Sequence, residues 1–310
     1  MRLVGALLAA SLVLGSGTVL DRALAREPTR DGVRHLLLQS SSWVYQLQDT
    51  RQADLSRTAY DIAVIDAFFG GDRKAVEELR RKPLGGRRIV LSYLSIGEAE
   101  VYRYYWAHCC KAQGRPSWVL TENKQWKGNF RVRFWHPEWK AIIYGAADSY
   151  LKRIVDEGFD GVYLDRIDVY SEVSGGGVDP RAEMIRFVRE LAARAKAMKP
   201  DFLVIAQNAE ELLDDKSYLA TIDGIAKEDL LFGVDGDGRR NESGMIRHSM
   251  ARLKRATEAG KQVMVVEYLK DPSVIATTRT ELQELGFVPY FAPRNLERLQ
   301  IENLEDDDSH

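Results

Sequence analysis

Cysteine is almost absent from this chain of 310 residues: Cys109 and Cys110 are the only two, and they are adjacent. Adjacent cysteines cannot tie distant elements together, and no Cys/His set has metal-ligand spacing, so neither a disulfide scaffold nor a zinc centre is expected. Whether the two bond to each other depends on the compartment and stays open. Histidine is scarce too. None of His35, His108, His136, His248 and His310 follows an apolar run, which leaves a His-bound metal or a Ser-His-Asp triad unsupported. Positive charge is not in excess: 44 Lys and Arg face 46 Asp and Glu, a formal net of −2, so nucleic acid is not an expected partner. A long apolar run is missing as well. Residues 3–14 are apolar apart from Gly and Ser, but Ser11, Gly15, Ser16 and Gly17 dilute a stretch already short of the ~20 residues a membrane span needs. With Met1-Arg2 ahead and Ala23-Leu24-Ala25 behind, residues 1–25 read as a signal peptide, which makes a secreted or periplasmic protein, with no stable membrane insertion after cleavage, the expectation.

What is present is an alternation. The 45% hydrophobic and 29% charged shares are those of a globular chain able to bury a large core. Short apolar runs at 43–47, 62–65, 88–94, 162–164, 202–206, 224–226, 263–266 and 287–291 alternate with amphipathic or polar stretches, the pattern of βα units and a parallel sheet. Helices are expected over 72–81, 138–157, from Asp179-Pro180 to Lys199-Pro200, and over 243–258. Eight strands with intervening helices predict an α/β fold, a (β/α)8 TIM barrel. The alternative, an open doubly wound sheet, would normally show a glycine-rich phosphate loop after its first strand, and neither G-x-G-x-x-G nor a P-loop is there. The domain expectation is a signal peptide over 1–25, a linker over 26–40, the barrel over 41–300 and a solvated acidic tail over 301–310. Between the third and fourth runs lies a long aromatic-rich insertion without clear periodicity, which with its edge carries Trp106, Trp118, Trp126, Trp135 and Trp139.

Barrel active sites sit at the C-terminal ends of the strands. The residues there are Asp66, Tyr93 and Ser95 with Glu98, Asp165 with Asp168, Asn208, Glu228 with Asp229, and Glu267. Each has a bland reading, since a strand-end acid also caps helices and closes turns. That reading is weakest for Asp165, because no helix is expected before Asp179 and a rim carboxylate in a long loop has little to cap. Converging acids without a histidine or cysteine suit glycoside hydrolysis, in which one carboxyl group protonates the leaving oxygen while the other attacks carbon or activates water. Crowding like charges raises one pKa and keeps one acid protonated. No cofactor and no metal is required. Tyr102, Tyr104, Tyr105 and Trp106 could stack on the apolar faces of sugars or pack as the insertion's own core. Two alternatives remain: a non-catalytic carbohydrate-binding barrel using the same mouth, and a Mg²⁺-dependent barrel enzyme whose rim acids hold the ion.

Five stretches carry a resemblance: Trp-Val-Tyr-Gln-Leu at 43–47, Val-Ile-Asp at 64–66, Leu-Ser-Tyr-Leu-Ser-Ile-Gly-Glu-Ala-Glu at 91–100, Gly-Phe-Asp-Gly-Val-Tyr-Leu-Asp at 158–165, and Gln207-Asn208. In them the chain resembles the extracellular glycoside hydrolases known as endo-α-1,4-polygalactosaminidases, some of which have been labelled cysteinyl-tRNA synthetase-related. The resemblance implies a barrel in which Asp165 is the nucleophile and Glu228 the acid/base, acting on polymers of α-1,4-linked galactosamine. Asp66, Tyr93, Glu98, Asp168, Asn208, Asp229 and Glu267 are then the expected substrate contacts. A synthetase reading has no support, because the chain lacks His-Ile-Gly-His and Lys-Met-Ser-Lys-Ser motifs and a Cys/His zinc cluster.

Overall fold

A computed structural model describes residues 30–110, 114–174 and 176–296. The expected signal peptide at 1–25 and acidic tail at 301–310 lie outside the described residues. Eight parallel strands follow one another in chain order in a single sheet: β1 (Trp43–Gln46), β2 (Ile62–Asp66), β3 (Ile89–Ser95), β4 (Gly161–Asp165), β5 (Leu203–Gln207), β6 (Gly224–Glu228), β7 (Gln262–Glu267) and β8 (Val288–Phe291). The sheet curls into a nearly closed TIM barrel. At the seam, Trp43 Nε1 donates to the Val288 carbonyl at 3.0 Å, and the Leu47 and Gln48 N–H groups donate to the Leu296 carbonyl. All eight expected runs are strands, displaced at their ends by one or two residues.

Burial explains why these runs fold as they do. Parallel strands covered on both faces must be apolar almost throughout, and β2 and β4 are buried up to their last residues, Asp66 and Asp165. In β6 burial lapses only at Lys227 and Glu228. Side chains alternate across a strand, so Tyr163 and Asp165 share a face. Inside the barrel the rings of Trp43, Tyr45, Tyr163 and Tyr290 pack with centroids 4.9 to 6.1 Å apart, making an aromatic floor beneath the mouth. Carboxylates also mark the opposite end. Asp61, Asp160 and Asp223, each just ahead of an even-numbered strand, accept backbone N–H groups from Ser41 and Ser42, Val90 and Val204 respectively. Asp160 is further held by Arg80 and Arg87 at 2.9 and 2.8 Å. These acids stitch strands together at the face of the barrel that serves stability.

Helices cover the outside: Gln52–Ser56, Arg73–Leu79, Pro180–Met198, Lys216–Thr221, Ser243–Glu258 and Pro272–Glu284. Asp72, Asp179, Asp215 and Asp271 cap four of them by accepting N–H groups of the first turn, with Pro180 and Pro272 at the opening position. Two expectations need correction. Part of the stretch expected to be a linker is the helix Arg30–Gln39, whose Val33 and Leu37 are buried in the core. The helix expected over 138–157 is broken: Pro137–Lys140 passes into a π-helical turn, Ala141–Gly145, and a separate helix, Tyr150–Asp156, begins after Ala146 has taken an extended backbone.

The insertion after β3 has its own order. Glu98–Glu100, Asn129–Val132 and Val119–Glu122 form a three-stranded antiparallel sheet in that spatial order, with a short helix, Tyr104–Cys109, on the path between its first two strands in the chain. Trp118, Trp139, Tyr105, Trp106 and Phe130 are buried within it, while Tyr102 and Trp126 stay exposed. Packing among its own aromatics therefore holds the insertion together, leaving a few rings free. Cys109 and Cys110 are bonded to each other.

Candidate active site

Three consecutive strands end in the same way at the mouth. Arg166 after β4, Asn208 after β5 and Asp229 after β6 all have positive φ, 59°, 56° and 51°, a left-handed backbone that non-glycine residues rarely adopt and that clusters at functional sites. The turn after β4 aims Asp165. Its Oδ1 accepts the Arg166 N–H at 2.6 Å and its Oδ2 the Tyr93 hydroxyl at 2.8 Å. Two strands away, Glu228 Oε2 accepts Asn208 Nδ2 at 3.0 Å and Oε1 accepts the Tyr268 hydroxyl. Asn208 also takes the Glu228 N–H on its Oδ1, at 3.0 Å, so one amide fixes both ends of the residue.

Both carboxylates are partly exposed while resting on a dry floor. Burial, and next the charge of Glu228, push Asp165 up to about 7 from an ordinary 3.8. Two acids that perturb each other titrate as a pair, so near neutral pH the pair carries one proton. Burial first, and the nearby carboxylates next, push the Tyr93 and Tyr268 phenols up, which keeps them protonated as donors.

The sequence model of glycoside-hydrolase family GH114, the family of endo-α-1,4-polygalactosaminidases, matches residues 25–307. The chain belongs to family GH114. An uncharacterized protein of Deinococcus radiodurans is 34% identical over 89% of this chain and 85% of its own length. One from Thermotoga maritima is 34% identical over 85% of this chain and 84% of its own. The glycoside hydrolase domain of PelA from Pseudomonas aeruginosa superposes with a TM-score of 0.64 at 20% identity, covering 84% of this chain and 97% of that domain. That likeness extends to the fold, and GH114 membership makes the chain a glycoside hydrolase.

The remaining strand-end residues of this GH114 barrel fall into two groups. Asp66, Asp168, Asn208 and Asp229 keep some exposure at the mouth. Asp66 accepts the Phe68 N–H at 2.7 Å and pairs with Arg103 of the insertion at 2.7 Å. Asp168 lies 3.3 Å from Arg166 Nη1. Asp229 is clamped by both terminal nitrogens of Arg294, at 2.9 and 3.0 Å. Glu98 and Glu267, expected as substrate contacts, are instead buried supports, 1% and 0% exposed. Glu98 receives Asn123 Nδ2 and Arg166 Nη2, each at 3.0 Å, and so steadies the residue that follows Asp165. Glu267 accepts the N–H groups of Leu231 and Phe232 and holds the loop after β6, with burial pushing it up to about 8. Tyr93 is likewise nearly buried, with its hydroxyl donating to Asp165.

Gly97 explains one half of the Ser-Ile-Gly-Glu stretch. A Cβ there would collide with the Arg166 carbonyl and the Val169 side chain, so only glycine lets the insertion lie against the turn that aims Asp165. Tyr268, Arg166 and Arg294 were missed by the sequence reading. Tyr268 directly follows β7, so the strand-end rule that selected Glu267 reaches it, but as a phenol beside an acid it drew no notice. Arg294 stands 4.3 Å over its ring. Removing the Tyr268 hydroxyl deletes one of the two side-chain donors that orient the Glu228 carboxylate. Tyr268→Phe should lower kcat/KM about tenfold through kcat, with little change in KM. An unchanged kcat would leave Tyr268 a packing residue only.

Proposed function

We propose that this GH114 chain is an exported hydrolase of α-1,4-linked galactosamine-type polysaccharide that works with Asp165 as nucleophile and Glu228 as acid/base. The observation that carries the reading is the pair of carboxylates at the open end of the barrel, each hydrogen-bonded on both oxygens, with Asp165 raised by burial and next by the charge of Glu228. In the first step an Asp165 oxygen bonds to the anomeric carbon while the glycosidic C–O bond breaks, and Glu228 gives its proton to the leaving oxygen. In the second, Glu228 takes a proton from water, whose oxygen displaces Asp165. The productive form of the pair has its proton on Glu228, which relieves the repulsion that raises Asp165. Support for a cationic amino sugar comes from charge: Asp66, Asp165, Asp168, Glu228 and Asp229 face Arg103, Arg166 and Arg294 at the mouth, and a cleft with excess negative charge concentrates cations.

Incubation with a panel of amino-sugar polymers, followed by product analysis, tests the substrate. Galactosamine oligomers whose first-formed reducing ends keep the α configuration are expected; inverted products would remove Asp165 from the nucleophile role. Secretion of the full-length chain with loss of residues 1–25 tests the export reading. The pH dependence has a definite sign. As pH rises through about 7 the pair loses its shared proton, so kcat/KM should fall on the alkaline side. A profile that keeps rising to pH 9 would show that no shared proton is needed.

A further inference from the structure

A cavity of about 630 Å³ opens on the same end of the barrel, but its walls come from the loops after β1 and β2 and from the insertion. That volume is in the ~300–1,000 Å³ range of ligand sites. Asp49, Asp66, Phe68, Tyr102 and Arg103 line it. Phe68 and Tyr102 are 49% and 64% exposed: Arg103 stands 4.8 Å over one side of the Tyr102 ring and Tyr150 packs 5.4 Å from Phe68, which leaves the remaining surface of each ring to solvent. Arg103 is matched by Asp66 at 2.7 Å and Glu100 at 2.6 Å. Asp49, held in a left-handed turn by Gln46 Nε2 on its carbonyl, has a carboxylate with no partner among the described residues.

The cavity lies beside the proposed reaction centre, related to it across the sheet. Asp66 stands opposite Tyr93 in the β2–β3 register, and the Tyr93 hydroxyl reaches Asp165. Two strand spacings separate β2 from β4, a span of about 10 Å. We propose that this cavity is a remote subsite for a sugar unit of the same polymer, away from the cleaved bond. Phe68 and Tyr102 take the apolar face of the ring, and Asp49 meets the ammonium of an amino sugar. The charge of that ligand rests on the substrate reading above, whereas the ring contacts do not.

The test is calorimetric binding of α-1,4-galactosamine oligosaccharides, free and fully N-acetylated, to the Asp165→Asn protein, which holds substrate without turning it over. On that background Asp49→Asn should weaken the free amino oligomer about fivefold at low salt and leave the N-acetylated one unchanged. The difference should vanish near ~1 M salt, where charges are screened within about 3 Å. Phe68→Ala should weaken the ligands that bind by about tenfold. A single cooperative thermal transition in each variant establishes that it is folded, with some lowering of the midpoint expected for Phe68→Ala, which loses its packing on Tyr150. Tight binding of the amino oligomer with the same affinity in all three proteins would overturn the subsite and leave the substrate reading standing. Failure of the parent to bind any amino oligomer would overturn both.

Discussion

Asp165→Asn is expected to lower kcat/KM on the polysaccharide by about 10³-fold or more while the protein stays folded and binds its substrate. The side chain keeps its shape: the one remaining oxygen can still accept the Arg166 N–H, and the Tyr93 hydroxyl, both donor and acceptor, can turn to accept from the new amide N–H. What disappears is the anionic oxygen that attacks carbon. A second readout separates this from a general loss of structure. Asp165 is held at about 7 against an ordinary 3.8, so its contribution to stability is fully present below pH ~4 and is lost as pH rises through about 7. Asparagine has nothing to ionise. The variant should therefore gain in thermal midpoint relative to the parent, more at pH 8 than at pH 4. An inactive variant with a lowered midpoint at pH 8 would mean that the site had collapsed, and an active one would remove Asp165 from the chemistry.

That loss of stability is the physical content of a strand ending on a charge over an aromatic floor. The eight strands were legible because parallel strands buried on both faces must be apolar, and the runs stop where burial stops, at Asp66, Asp165 and Glu228. The same rule misled at Glu98 and Glu267. A strand-end acid looks the same in sequence whether it faces the mouth or turns back to accept backbone N–H groups, and only the fold of the neighbouring loop decides. Leu231 and Phe232 claim Glu267, and Arg166 with Asn123 claims Glu98. The insertion was opaque for another reason. Its strands are three or four residues long, too short for a periodicity to register, and its order comes from Trp118, Trp139 and Tyr105 packing across sequence distance. The long helix expected after it failed at Gly145 and Ala146, where an extended residue interrupts two helical segments that share one amphipathic pattern. The polar partners at the mouth were hidden in a similar way: Tyr268 donates to Glu228 and Arg294 to Asp229, and nothing local announces a donor whose acceptor is about 40 or 65 residues away in the chain.

Glu228→Gln should separate the two roles. Protonation of the leaving oxygen by a positioned acid is worth about 10²–10⁴-fold, and glutamine has no proton of the needed acidity to give. Activity on the natural polymer should fall by that amount. An aryl glycoside with a leaving group of low pKa departs without protonation, so its first step should run close to the parent rate, and the glycosyl-Asp165 ester should accumulate because no base activates water for the second step. Mass spectrometry of the quenched protein would show the added sugar as a burst. Asp165→Asn, by contrast, should fail on both substrates, since no leaving group replaces the missing nucleophile. The glutamine oxygen can still accept Asn208 Nδ2, and its NH2 can donate to the Tyr268 hydroxyl oxygen in place of the bond it received, so the variant is expected to keep its geometry. Equal losses on polymer and aryl glycoside would place the acid elsewhere than Glu228.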